Sequence, residues 1–82
     1  MTKKLYVGVE ARFSPEGRIL PTAILWPDGR RFPIDRILEI RRAASLKAGG
    51  TGLRYRCRIL GQERFLFLET EQRWFVELPP SQ

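Results

Sequence analysis

Residues 30–42 read RRFPIDRILEIRR, and the fold turns on whether this stretch is a strand or a helix. Phe32 and Ile34 alternate with proline and charged positions, the period of a half-buried strand. Ile37 and Leu38 are then adjacent. The parity slips, and a bend or bulge near Asp35-Arg36 would accommodate it. The rival reading is a helix capped by Asp35 and stopped at Gly49. On a helical wheel, however, Arg36, Glu39, Arg41, Arg42 and Lys47 fall among the apolar residues and leave no buried stripe. The stretch is therefore read as a long bent strand, with one helical turn near AASLKA (43–48).

The flanking segments are strand-like too. In LYVGVEARF (5–13), Leu5, Val7, Val9, Ala11 and Phe13 share one face, while Tyr6, Glu10 and Arg12 take the other. RILPTAILW (18–26) is a second strand, and Pro21 removes one ladder donor from it, marking an edge or a bend. SPEGRILP (14–21) and WPDGRRFP (26–33) match at an offset of 12. Both place proline second and glycine fourth, as a tight turn requires, so the match reads as two hairpin turns solved by the same local physics rather than as a duplication.

Downstream, Leu53, Tyr55, Cys57 and Ile59 face one way and Arg54, Arg56 and Arg58 the other. Gly61-Gln62 suits a two-residue type II′ turn. ERFLFLET (63–70) and RWFVEL (73–78) follow, the latter with Trp74, Val76 and Leu78 on one face. The expectation is an all-β domain: a small SH3-like or Sm-like barrel of five to six strands with a long bent third strand.

Composition bounds the rest. The chain has 82 residues, 43% of them hydrophobic and 29% charged, enough for one small folded domain over 1–82. Pro79-Pro80-Ser81-Gln82 reads as a flexible tail. No apolar run approaches the ~18–20 residues of a membrane span, and Met1-Thr2-Lys3-Lys4 precedes no signal-peptide core. A cytoplasmic protein is expected. Cys57 is the single cysteine, and histidine is absent. These counts exclude an intramolecular disulfide, a Ser-His or Cys-His nucleophilic pair and histidine metal ligands. The carboxylates are scattered, with no paired general acid and base. No catalytic residue, metal or cofactor is expected.

The net charge of +6 favours an anionic partner: nucleic acid or an acidic protein. KAGGTG (47–52) is not a phosphate loop, since its lysine precedes the glycines and a strand follows where a helix is needed. It reads as a hairpin loop. The Arg54/Arg56/Arg58 ladder carries more information. With a turn at Gly61-Gln62, Arg58 opposes Phe65, Arg56 opposes Phe67 and Arg54 opposes Glu69. A three-residue turn would instead set Arg58 opposite Leu66 and Arg56 opposite Leu68. The first register is preferred, because it pairs Arg54 with Glu69 outside. ERFLFLET is then apolar on both faces, and something covers Phe65 and Phe67: the arginine planes themselves, a second subunit, or nucleic acid with bases on Phe and phosphates on Arg. The candidate nucleic-acid-binding set is Arg54, Arg56, Arg58, Phe65 and Phe67, extended by Arg41, Arg42 and Lys47. The alternative is a protein-interaction or homo-oligomerisation module that uses the doubly apolar strand.

Trp26, Gly29, Arg30, Phe32, Ile34, Arg54, Tyr55, Cys57, Ile59, Trp74, Phe75 and Val76 trace a pattern W-x-x-G-R-x-[FY]-x-[IV], a spacer, R-Y-x-[VC]-x-[IV], and W-[FL]-[VL]. In this the chain resembles, over about residues 19–78, a family of small uncharacterised bacterial β proteins. The resemblance implies a compact β fold and no assigned activity.

Overall fold

The computed structural model describes residues 3–44, 51–69 and 72–78. They form β1 (Lys3–Phe13), β2 (Ile19–Leu25), β3 (Arg31–Pro33), β4 (Arg36–Ala44), β5 (Thr51–Ile59), β6 (Gln62–Leu68) and β7 (Trp74–Leu78). The order across the curled sheet is β3-β2-β1-β7-β6-β5-β4, antiparallel throughout. The described residues contain no helix. No helix among them is long and apolar enough to cross a membrane.

The sheet curls because two segments change partners along their length. β1 pairs with β7 over Lys3–Val7 and with β2 over Gly8–Phe13. The handover falls at Gly8, where a Cβ would stand 3.2 Å from the Leu25 Cβ. A side chain there would push the two strands apart. The RRFPIDRILEIRR segment makes the second handover. The Ile34 N–H donates to the Thr22 carbonyl of β2, and the next N–H, of Asp35, donates to the Arg58 carbonyl of β5. The segment expected as one bent strand is thus extended throughout but divided into β3 and β4. Its parity slips at a bulge between Ile37 and Glu39, which takes up Leu38 and returns Ile40 to the inside opposite Tyr55. The expected helical turn near 43–48 does not begin at Ala43 and Ala44, which are in β4; its remaining residues lie outside the described ones. The tail at 79–82 lies outside them as well.

The repeated turns are built alike. Gly17 donates to the Ser14 carbonyl and Ser14 to the Arg18 carbonyl; Gly29 donates to Trp26 and Trp26 to Arg30. The glycines sit at φ 85° and 95°, the left-handed position of a type I turn with a G1 bulge. A third site has the same bonds, Gln72 to the Glu69 carbonyl and Glu69 to the Arg73 carbonyl. There the left-handed residue is Gln72, at φ 63°. A Cβ in that region costs about 1 kcal/mol. Gln72→Gly is therefore expected to raise stability by up to about 1 kcal/mol, read as a higher urea midpoint.

The core lies inside the curl: Ile24, Tyr55, Cys57, Ile59, Leu66, Leu68 and Val76, with Leu5, Val7, Val9, Trp26, Phe32 and Trp74 packed around them. The Tyr55 hydroxyl donates to the Ile19 carbonyl at 2.6 Å and so ties β5 to β2 across the interior. Burial pushes the Cys57 thiol up to about 11, which keeps it protonated and unreactive at neutral pH. The inward set of β1 ends early. Phe13, expected inside, is 72% exposed, because it lies at the end of the β1–β2 hairpin, beyond the reach of the core.

Candidate functional site

The β5–β6 turn sits one residue earlier than expected. Leu60 and Gly61 are its central residues, with φ 52° and 76°. Two positive values define type I′, not II′, and glycine belongs at its second position. Ile59 then pairs with Gln62, Arg58 with Glu63, Arg56 with Phe65 and Arg54 with Phe67. The expected pairs Arg58–Phe65, Arg56–Phe67 and Arg54–Glu69 do not form, nor do those of the longer turn. On the inner face this register sets Tyr55 opposite Leu66 and Leu53 opposite Leu68, and on the outer face Arg58 opposite Glu63. The expected register would have set Leu53 opposite the polar Thr70 and Arg58 opposite Phe65.

On the outer face a cross-strand row runs Tyr6, Phe75, Phe67, Arg54, Arg41 through β1, β7, β6, β5 and β4. Phe67 and Phe75 stack at 4.8 Å and 5°, and Tyr6 meets Phe75 edge-on at 5.8 Å. Cations cover the rings: the Lys4 ammonium stands 4.6 Å from the Phe75 centroid, the Arg73 guanidinium 4.5 Å from Tyr6, and that of Arg54 4.7 Å from Phe65. What covers the apolar pair of β6 is thus partly the chain itself. Phe67 lies under Phe75, while Phe65, with Arg54 over it, remains 44% exposed.

Beside this row lies the arginine face. Glu39 is its centre, 2.9 Å from Arg41, 3.6 Å from Arg56 and 4.0 Å from Arg54. Glu63 holds Arg56 at 3.0 Å. Arg36 lies opposite Arg58 on the same face, and among the described residues neither has a carboxylate within salt-bridge distance. The face therefore carries Arg36, Arg41, Arg54, Arg56 and Arg58 against Glu39 and Glu63. Of the other expected members, Arg42 pairs with Leu53 and so belongs to the opposite face from Arg41. Lys47 lies outside the described residues.

Glu69 forms a separate knot. Its carboxylate accepts from the Tyr6 hydroxyl at 2.7 Å, Lys4 at 3.3 Å and Arg73 at 3.3 Å. The Tyr6 bond above all, then Lys4 and Arg73, holds its carboxyl below the usual carboxylate range, and the same bond raises the Tyr6 phenol. A depressed carboxyl contributes stability above its unfolded pKa and loses it as pH falls through the folded value. Between about pH 5 and pH 3 the wild type is therefore expected to lose more stability than Glu69→Gln, measured by urea unfolding across that range.

Sequence reasoning missed Arg36, Glu39, Tyr6 and Phe75. The bulge at Leu38 decides the face of Glu39. The adjacent Ile37 and Leu38 announce a slip in parity, but the expected place for it is near Asp35-Arg36. Phe75 has the parity opposite to Trp74 and Val76, so its outward direction was readable, but its partners depend on β7 lying between β1 and β6. Among the described residues no group of three or more Cys, Asp or Glu side chains converges to hold a metal ion. Comparison of the chain with protein-family models, curated proteins and solved structures finds no match.

Proposed function

We propose that the chain is a non-enzymatic SH3-like binding module that engages nucleic acid through the outer face of β4, β5 and β6. The observation that carries this reading is the crowding of Arg36, Arg41, Arg54, Arg56 and Arg58 against, among the described residues, only Glu39 and Glu63 around the open ring of Phe65. Arg36 and Arg58 meet phosphates directly. Arg54 and Arg56 are already braced by carboxylates and position the surface. Phe65 offers a face on which an unpaired base stacks, so single strands bind more tightly than duplex. The handovers in β1 and between β3 and β4, which let a single sheet curl back on itself, support the SH3-like reading.

Titration of fluorescent single- and double-stranded oligonucleotides at two salt concentrations tests it. Binding at low salt that weakens steeply with added salt is expected. Absence of binding at low salt overturns the proposal.

A further inference from the structure

β6 and β7 are joined only at Phe67–Phe75 and Leu68–Trp74. Beyond these pairs the strands part. β6 continues along β5 to Gln62, and β7 along β1 to Leu78. The wedge between them opens on a groove of about 470 Å³, its apolar lining made by Ile24, Trp26, Phe32, Ile59, Val76 and Leu78. Arg30 and Arg64 also line it, with Glu77 on the β7 side. Arg30 is held by Asp28 at 2.7 Å. Arg64 is hydrogen-bonded to the neutral Gln62, and no carboxylate among the described residues neutralises it.

The backbone says what the wedge accepts. In a two-residue hairpin the residues flanking the turn exchange hydrogen bonds, and such pairs alternate along the ladder. Gln62, Arg64 and Leu66 thus spend their peptide groups on β5, while Glu63 and Phe65 turn theirs the other way. Phe75 turns its peptide group to Phe67, and Glu77 by the same alternation turns its own into the wedge. Among the described residues these groups of Glu63, Phe65 and Glu77 have no backbone partner. A row of donors and acceptors at strand spacing is satisfied by another extended main chain.

We infer that the wedge between β6 and β7 receives an extended segment of a partner protein, added as a strand on the free edge of β6, with apolar side chains at alternate positions in the groove and an acidic residue against Arg64. Alternate side chains of such a strand point to one face, which here is the groove. The net charge of +6 and the unneutralised Arg64 select a segment that is acidic where it passes Arg64, on the β6 side away from Glu77. A second copy of the chain fits poorly. Antiparallel pairing of the stretch of β6 that β7 leaves free, Gln62–Leu66, with itself about its centre sets Arg64 against Arg64, and like charges directly opposite repel. The site is distinct from the Arg36/Arg58 surface, and the inference stands apart from nucleic-acid binding.

The probes are labelled heptapeptides alternating valine and threonine, one ended by aspartates, one by lysines, and one aspartate-ended but N-methylated along its backbone. With the full chain, the aspartate-ended peptide is expected to bind at least tenfold more tightly than the lysine-ended one. It should slow amide exchange at Glu63, Phe65 and Glu77. Arg64→Glu should reverse the preference while leaving any oligonucleotide binding within about twofold. Equal binding by the N-methylated peptide, no amide response at millimolar peptide, or an unchanged preference in Arg64→Glu overturns the inference.

Discussion

Tyr55→Ala is expected to destabilise the domain by about 3–5 kcal/mol, the usual cost of deleting a buried ring. In a single domain of this size that is most of the available stability, so the variant should be largely unfolded at room temperature by circular dichroism. The position is singular for a geometric reason. Tyr55 is 1% exposed, packs on Trp74 at 5.4 Å and reaches Ile19 on the far side of the curl. It is at once the largest fully buried side chain among the described residues and a direct polar tie between β5 and β2. Tyr55→Phe separates the two roles. It keeps the ring, leaves the Ile19 carbonyl without its donor, and should cost about 1–2 kcal/mol. Urea unfolding followed by tryptophan fluorescence gives both values. If the two variants cost the same, the hydroxyl rather than the ring carries the position.

That central role is partly legible in the sequence. Tyr55 falls in the cleanest alternation of the chain, so its inward direction follows from period 2 alone. So does that of Cys57, whereas Leu66 and Leu68 are placed inside only by the preferred register that sets Phe65 and Phe67 beside the arginines. The twin turns at Ser14–Gly17 and Trp26–Gly29 follow from proline and glycine chemistry. These are properties of a few neighbouring residues. What resisted reading is set by distant ones. The register of β5 on β6 moved by one turn position because Leu60 accepts a left-handed conformation that local preference assigns to glycine or asparagine, in a register that gives Leu53 an apolar partner in Leu68 and sets Arg58 opposite Glu63. Leu38 is given up to a bulge so that Ile37 and Ile40 can both face inward. Phe75 shares a row with Tyr6 and Phe67 only because the chain's last described strand inserts between its first and sixth. The arginine ladder was visible as a ladder. The carboxylate at its centre, Glu39, was not, since its face depends on the bulge. Reading Arg54, Arg56 and Arg58 as equivalent was the consequence. The structure divides them into two that are braced and one, Arg58, that stands beside Arg36 and, although opposite Glu63, has no carboxylate among the described residues within salt-bridge distance, because Glu63 is engaged by Arg56.

This division makes the second large effect specific. If the outer face binds nucleic acid, the arginines without carboxylates should carry the affinity. Reversing Arg36 and Arg58 together to glutamate is expected to weaken oligonucleotide binding by at least a hundredfold at low salt. It should also lower the slope of log affinity against log salt by about two, roughly one for each phosphate contact removed. Both side chains are exposed and the core is untouched, so the unfolding midpoint should move little. The braced pair behaves otherwise. Reversing Arg56 breaks its contacts with Glu63 and Glu39, so part of its effect appears as lost stability rather than as a change in salt slope. Phe65→Ala should leave the slope unchanged and reduce single-strand affinity more than duplex affinity, because a stacked base contributes no counterion release. An Arg36→Glu/Arg58→Glu protein that binds with the wild-type slope would move the phosphate contacts off this face altogether.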